Sequence, residues 1–176
     1  MTSCLIAVSG NIDPLRWLPI AVRRLGDFAR VEATSPFFIT PPLRRSDQPD
    51  YRNGVLRCQS ELQPRALKFD VLRVIEAECG RVRGEDAYAA RTVDLDLLDW
   101  GGIILHESGL RLPDPDLLER PFLAAAVLSI DPEYKLPGIG LLSNRFDCAA
   151  LKAYPVDVPL TRTIEEIITH EPGTSQ

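Results

Sequence analysis

Two aspartates separated by a single residue form the most informative chemical pattern in this sequence. They are Asp94 and Asp96, in the segment Arg91-Thr92-Val93-Asp94-Leu95-Asp96. On a β-strand both carboxylates would lie on one face, with Cα atoms about 6–7 Å apart. Carboxylates this close repel each other unless a cation lies between them, and magnesium prefers such oxygen ligands. The pattern predicts a magnesium site; the alternative is the solvated face of an amphipathic strand.

Three arginines lie just before the acidic segment or at its start. Arg81, Arg83 and Arg91 border the polar stretch 81–90, which also contains Gly84 and is typical of a mobile loop. The guanidinium group is planar and permanently charged, and it binds phosphate oxygens well. Arginines beside a carboxylate metal site therefore predict phosphoryl chemistry on a nucleotide. The alternative is ordinary ion pairing at the surface.

A stiff proline loop with aromatic and amide neighbours predicts a slot for a flat, polar heterocycle. Thr40-Pro41-Pro42-Leu43 is followed by Tyr51 and Asn53, and Phe122 offers a second aromatic face. Aromatic rings stack on a heterocycle, and an amide can hydrogen-bond to its edge. The alternative is a loop in which Tyr51 simply packs on the core.

The elements that must position these residues follow the order β-α-β-β-α-β. Hydrophobic patterns and turn residues predict strands over 5–8, 31–39, 53–60 and 92–99, and helices from Pro14, from Gln63-Pro64 to Gly80, over 121–130 and over 161–169. Asp13 is expected to cap the first helix, and residues 103–105 to pair with the fourth strand through Gly101-Gly102. This order predicts an α+β, ferredoxin-like βαββαβ core with a mainly antiparallel sheet, helices packed on it and extra C-terminal elements.

The overall composition narrows the class of protein. The chain has 176 residues, a net charge of −5 and no apolar run long enough to span a bilayer, so a membrane protein and a general polyanion binder are excluded. Its four scattered cysteines and its N-terminus without a basic stretch predict reduced core thiols and a cytoplasmic location. Neither a Walker loop, a G-x-G-x-x-G fingerprint nor a G-x-S-x-G elbow occurs.

Taken together, the segments resemble the 6-hydroxymethyl-7,8-dihydropterin pyrophosphokinase family of folate biosynthesis. The resemblance runs from about Leu5 to Pro137. It rests on Thr40-Pro41-Pro42-Leu43, Gln48-Pro49-Asp50-Tyr51-Arg52-Asn53, Gly80-Arg81-Val82-Arg83, Arg91-Thr92-Val93-Asp94-Leu95-Asp96 and Glu119-Arg120-Pro121-Phe122. It implies transfer of pyrophosphate from ATP to the pterin hydroxymethyl group, with release of AMP.

The resemblance also implies roles for individual residues. Asp94 and Asp96 would hold two magnesium ions, and Asp96 would also take part in deprotonation. ATP would be bound by Glu76, Arg81, Arg83, Arg91 and Arg120; of these Arg81, Arg83 and Arg91, with Asp96, form the expected catalytic set. The pterin would lie against Thr40, Pro41, Leu43, Tyr51, Asn53 and Phe122. Residues 83–90 match the family's mobile lid.

Domain organisation and partners complete these expectations. Residues 1–140 are expected to form the catalytic domain, and residues 141–176 a C-terminal extension that is packed on the same domain or trails from it. The protein is expected to be a monomer that binds neither nucleic acid nor membranes. The chain departs from the family at Ser9-Gly10-Asn11, at Tyr88 in place of a tryptophan, and at Asp114 in place of a histidine. The alternative function is therefore a divergent paralogue that binds a pterin or nucleotide with weak or no transfer, or that acts on another heterocyclic alcohol.

Overall fold

The computed structural model describes residues 1–43, 46–84, 86 and 88–170. Its main sheet contains strands β1 (Thr2–Gly10), β2 (Arg30–Thr34), β3 (Phe38–Thr40), β4 (Tyr51–Ser60) and β5 (Asp94–Trp100). The strands are antiparallel in the order β2-β4-β1-β5, and β3 pairs with the start of β4. This confirms the ferredoxin-like fold class.

The central strands are apolar on both faces because helices cover both sides of the sheet. Along β1, Ile6 and Val8 face one core and Leu5 and Ala7 face the other. The first core is completed by helices α1 (Pro14–Gly26) and α7 (Val158–His170), together with the helical stretch after β4. The second contains helix α5 (Pro121–Ile130), whose bounds are those expected from the sequence. A strand buried on both faces reads as a continuous apolar run.

The helical stretch after β4 is not one regular helix. It consists of α2 (Pro64–Ala66), a π-helical turn (Leu67–Leu72) and α3 (Arg73–Glu78). Gly80 follows with φ of 79°, the left-handed conformation expected of a residue that ends a helix. The π turn was not expected from the sequence, because the apolar stripe carries no mark of an extra residue in one turn.

Smaller elements complete the chain after β5. Strands β6 (Leu105–Glu107) and β7 (Leu110–Leu112) form a hairpin, followed by helix α4 (Asp116–Glu119) before α5. After α5 come β8 (Lys135–Leu136), β9 (Gly140–Leu141), a 3₁₀ turn (Leu142–Arg145) and helix α6 (Cys148–Leu151). Among the described residues, no helix combines the length and apolar character needed to cross a membrane.

Several local expectations are wrong. Residues 103–105 do not pair with β5; instead the backbone N–H of Asp114 donates to the Leu98 carbonyl at 2.7 Å, so the chain after β7 reaches that strand. The expected strand over 31–39 is split between β2 and β3 around Ser35 and Pro36. Asp13 has φ of 45° and caps no N–H with its side chain.

The expected positions of two other features have mixed outcomes. Cys4, Cys58 and Cys79 are buried as expected, but Cys148 is exposed. The C-terminal helix is longer than expected, and residues 171–176 lie outside the described residues.

Candidate active site

The two aspartates lie on β5 as the alternation of side chains requires. Leu95 and Leu97 are buried in the first core, so Asp94 and Asp96 lie on the opposite face. On the neighbouring strand β1, the backbone of Ser9 pairs with Asp94 on one side and with Asn53 of β4 on the other. Three adjacent strands therefore bring acidic and amide side chains to one end of the sheet.

An acidic–arginine cluster surrounds Asp94, and we define it as Glu76, Arg81, Arg83, Arg91, Asp94 and Asp96. The Arg81 guanidinium contacts both Asp94 and Glu76, the latter at 2.6 Å. Arg91 binds the second oxygen of Asp94 at 2.5 Å. The structure therefore brings the loop arginines onto the acidic strand, as the sequence pattern indicated.

Glu76 is the buried anchor of this cluster. Its side chain is 2% exposed; it pairs with Arg81 and Arg83 and accepts the backbone N–H of Leu95 at 2.8 Å. Burial raises the pKa of Glu76, against the opposing hydrogen bond from Leu95 and the charge of Arg81. Glu76 thus joins helix α3, the loop arginines and β5 in one network.

The two aspartates differ in their charge environment. Burial would raise the pKa of Asp94, but the adjacent Arg81 and Arg91 outweigh it and lower that pKa. Asp96 has 49% of its side chain exposed, and its cation contact is Lys68 at 3.9 Å. Loss of solvation, together with the charge of Asp94, raises the pKa of Asp96 to about 6. Of the two, Asp96 is the carboxylate more open to a ligand.

Asp94 and Asp96 can supply part of the ligand set of a magnesium ion. Magnesium is commonly bound by one or two carboxylates together with substrate phosphates, rather than by a full protein cage. Asp94 and Asp96 supply such a carboxylate pair. In the part of the chain that the structure describes, no group of three or more His, Cys, Asp or Glu side chains could hold a metal ion. The site therefore suits an ion that arrives with a phosphate.

An aromatic slot of about 360 Å³ lies beside the cluster. All six residues expected to hold a heterocycle line it, together with Tyr154 and both Arg91 and Arg120: Thr40, Pro41, Leu43, Tyr51, Asn53 and Phe122. The side-chain amide of Asn53 donates to the hydroxyl of Thr40 at 2.8 Å, which fixes both groups in the wall. Since Arg91 also binds Asp94, it belongs to both the slot and the cluster.

Three contributors to the site were missed in the sequence. Tyr154, which follows α6, packs edge-on against Phe122 with ring centroids 6.0 Å apart. Asn11 is 2% exposed and accepts the backbone N–H of Arg91 at 2.9 Å, which positions that arginine. Lys68 reaches Asp96 from the π turn. Only Asn11 had a sequence signal, as the polar residue that ends the first strand.

Arg120 and Arg83 lie at the edges of the site. Arg120 lines the slot but is held at 2.8 Å by Asp116, one helical turn before it. The side chain of Arg83 is 54% exposed although it contacts buried Glu76. In the expected lid, Tyr88 lines the slot, and its backbone carbonyl accepts from the Gln48 amide at 2.9 Å. Residues 85 and 87 of that expected lid lie outside the described residues.

Comparison with known proteins decides the family. Residues 5–132, more than half of the chain, match the family model described as 7,8-dihydro-6-hydroxymethylpterin-pyrophosphokinase. The chain belongs to this family. The family and enzyme class expected from the sequence are therefore confirmed: the homologues are pyrophosphokinases.

Named relatives agree with the family model. The 2-amino-4-hydroxy-6-hydroxymethyldihydropteridine pyrophosphokinase of Haemophilus influenzae is 33% identical over 147 residues, which cover 82% of this chain and 91% of that protein. The protein of the same name from Synechocystis is 31% identical, covering 96% and 88%.

Solved structures share the fold of this pyrophosphokinase chain. A crystal structure of Plasmodium falciparum HPPK-DHPS with pterin and p-hydroxybenzoate matches 82% of this chain with a TM-score of 0.64 and 10% sequence identity. The match covers 41% of the Plasmodium chain, so this chain spans less than half of its length. At this identity the likeness concerns the fold alone.

Proposed function

We propose that this protein transfers pyrophosphate from ATP to the hydroxymethyl group of 6-hydroxymethyl-7,8-dihydropterin and releases AMP. The family match and the named relatives support this reaction, with ATP as the co-substrate, and none of them supports the alternative of a non-transferring paralogue. One observation in the structure carries the proposal. Arg91 lines the heterocycle-sized slot and also binds Asp94 of the acidic–arginine cluster, so the two substrates would meet at this side chain.

The aromatic slot is the proposed pterin site. Tyr51, Phe122 and Tyr154 supply ring faces, and a flat bicyclic ring stacks on such faces. The Asn53 amide is oriented by Thr40, and its carbonyl oxygen would accept a hydrogen bond from the ring edge. Pro41 and Leu43 would close the apolar side of the slot.

The arginines are the proposed triphosphate ligands. Arg81, Arg83 and Arg91 are paired with carboxylates, so phosphate binding would exchange or share these partners. Such an exchange keeps each guanidinium paired while the charge of the triphosphate is neutralised. Arg120 would contribute from the slot side, and Glu76 would keep Arg81 in place.

Asp94 and Asp96 are the proposed ligands of two magnesium ions. When bound, these ions would neutralise phosphate charge and polarise the hydroxyl of the pterin. The chain's own part is to orient the reactants for in-line attack, in which a bond forms between the hydroxyl oxygen and the β-phosphorus. The bond from the β-phosphorus to the bridging oxygen breaks, and AMP leaves with that oxygen. Asp96 would also take part in removing the hydroxyl proton.

Organisation and location are proposed in the same way. We propose a catalytic domain over residues 1–140 and a C-terminal extension over 141–176 packed on it. In support, Leu160 and Ile164 of α7 lie in the first core, and Tyr154 lines the slot. We also propose that the enzyme acts as a monomer in the cytoplasm without nucleic acid.

A single assay tests the proposed reaction. The protein is mixed with ATP, magnesium and the dihydropterin alcohol, and AMP and diphosphorylated pterin are measured. We expect both products in equal amounts, with Asp94→Asn and Asp96→Asn folded but at least about 100-fold slower. Glu61→Gln, which removes an exposed carboxylate just after the opposite end of β4, is the control. Binding of both substrates without AMP would overturn the proposed reaction, and near-normal turnover in the two variants would overturn the metal assignment.

A further inference from the structure

Lys68 is a cation that the proposed reaction does not use. It lies on the π-helical turn, its side chain is only 16% exposed, and its Nζ is 3.9 Å from the nearest oxygen of Asp96. A lysine is rarely buried to this extent unless it has a charged partner. The π turns of helices are often found at functional sites. The burial of Lys68 and its place on the π turn therefore indicate that it has a role in the site.

A third aspartate, Asp114, indicates what the role of Lys68 is. Asp114 lies after the β6–β7 hairpin, and its carboxylate accepts the backbone N–H of Asp116 at 2.9 Å. The backbone N–H of Asp114 also donates to the carbonyl of Leu98 at 2.7 Å, which places Asp114 beside β5, two residues along the strand from Asp96. The positive charge of Lys68 and the negative charge of Asp114 therefore both act on Asp96.

The charges of this region balance when Lys68 is counted. The carboxylates of the cluster and its neighbour are Glu76, Asp94, Asp96 and Asp114, and the cations around them are Lys68, Arg81, Arg83 and Arg91. Glu119 and Arg111, which line a cavity together with Asp114, add one charge of each sign. Nearby Asp116 and Arg120 pair with each other at 2.8 Å. Without Lys68 the region would carry an excess negative charge, which attracts a free divalent cation and repels a triphosphate.

We propose that Lys68 is a positioning residue that offsets Asp114, so that magnesium binds together with the triphosphate rather than alone. This inference rests on the proposed metal site at Asp94 and Asp96. Its role is electrostatic: the ammonium lowers the attraction of Asp96 for a free divalent ion and lowers the repulsion that Asp114 exerts on phosphate.

The test is a double-mutant cycle with two binding measurements. Lys68→Met, Asp114→Asn and the double variant are titrated with Mn²⁺ alone, followed by electron paramagnetic resonance, and with a nonhydrolysable ATP analogue in magnesium, followed by calorimetry. Lys135→Met removes an exposed lysine at the other end of the sheet and controls for net charge. Melting temperatures verify that each variant is folded.

Opposite shifts are expected for the two ligands. Lys68→Met should bind Mn²⁺ about three- to tenfold more tightly and the ATP analogue more weakly by a similar factor. Asp114→Asn should shift both affinities the other way, and the double variant should return near the wild-type values. If Lys68→Met does not fold, Lys68→Gln, which also removes the charge but keeps a polar side chain, takes its place in the cycle.

Specific outcomes would overturn the inference. Unchanged affinities in Lys68→Met, or losses of both ligands that Asp114→Asn does not reverse, would show a merely structural lysine. Where Lys68→Met is unfolded, unchanged affinities in Lys68→Gln would do the same. If the wild-type protein binds the ATP analogue equally well in the presence and in the absence of magnesium, the proposed metal site itself fails, and this inference fails with it.

Discussion

The acidic–arginine cluster and the aromatic slot are neighbours, but different interactions hold their side chains in place. In the cluster, charged side chains pair with one another, as Arg81 does with Glu76 and Asp94. In the slot, uncharged side chains are held by a hydrogen bond, as between Asn53 and Thr40, and by the packing of aromatic rings against each other. The cluster must exchange its partners when a triphosphate arrives, whereas the slot is already formed.

This difference predicts which properties a substitution in each region will change. Buried charged pairs are costly to break, because the remaining partner is left with an uncompensated charge. Neutral walls lose only a hydrogen bond or some contact area. Substitutions in the cluster should therefore affect both stability and ATP binding, and substitutions of the uncharged slot residues should affect pterin binding alone.

The largest effect is expected from Glu76→Gln. The change removes one of the two carboxylates that hold Arg81 and the hydrogen-bond acceptor of Arg83, so the free energy of unfolding should fall by about 2 kcal/mol and the KM for ATP should rise. Chemical denaturation measures the first quantity and steady-state kinetics the second. Glu78→Gln, two residues away, breaks an exposed pair with Arg24 and should change stability by less than about 1 kcal/mol. Equal losses in the two variants would contradict the central position of Glu76.

A second comparison ranks two arginines of the cluster. Arg81 is 11% exposed and bridges two carboxylates, whereas Arg83 is 54% exposed and contacts one. Arg81→Met should reduce kcat/KM for ATP by about 100-fold and Arg83→Met by about tenfold or less. Steady-state kinetics at saturating pterin measures both, and the reverse order would show that the exposed loop carries the main phosphate contact.

Within the slot, Asn53→Ala should act on one substrate only. Loss of the amide removes about 1–2 kcal/mol of hydrogen bonding, so the KM for the pterin should rise about tenfold while the KM for ATP stays unchanged. Gln59→Ala, on the same strand β4 but beside the cavity at the other end of the sheet, is the control. A parallel rise in the KM for ATP would mean that the slot and the cluster are not separable.

The smallest expected effect is a pH dependence of stability that comes from Asp96. Its pKa is raised from 3.8 to about 6 in the fold, so between these values the folded chain keeps a proton that the unfolded chain has lost. Stability without metal should therefore fall as the pH rises through this window, and Asp96→Asn should lack that contribution. Unfolding midpoints at pH 4 to 7 measure it; parallel curves for the two proteins would contradict the raised pKa.

The sequence predicted the parts of the site that depend on local geometry. Alternation along one strand is enough to place Asp94 and Asp96 on a common face, and proline stiffness is enough to indicate a loop at Pro41 and Pro42. The arginines follow because their loop leads directly into that strand. These features need only the period of a strand and the chemistry of the side chains.

Features that depend on distant packing were not accessible in the same way. Lys68 contacts Asp96 from the π turn, and the apolar stripe of the sequence does not mark that turn. Tyr154 lies beyond the apolar pattern of the sequence and reaches the slot only through tertiary packing. The edge of β5 is met by Asp114 rather than by residues 103–105, a choice between two short segments that their composition does not decide.

The route of the chain from α6 to α7 has a consequence for engineering. There, the Pro155 carbonyl accepts the Ile39 N–H at 2.8 Å, Asp157 binds Arg52 at 2.8 Å, and Tyr154 reaches the slot from outside the family-matched range 5–132. Exchanging the segment between α6 and α7 from one homologue to another would replace one wall of the slot and leave the acidic–arginine cluster unchanged. Chimeras of this kind offer a way to retune ligand choice without redesigning the catalytic strand.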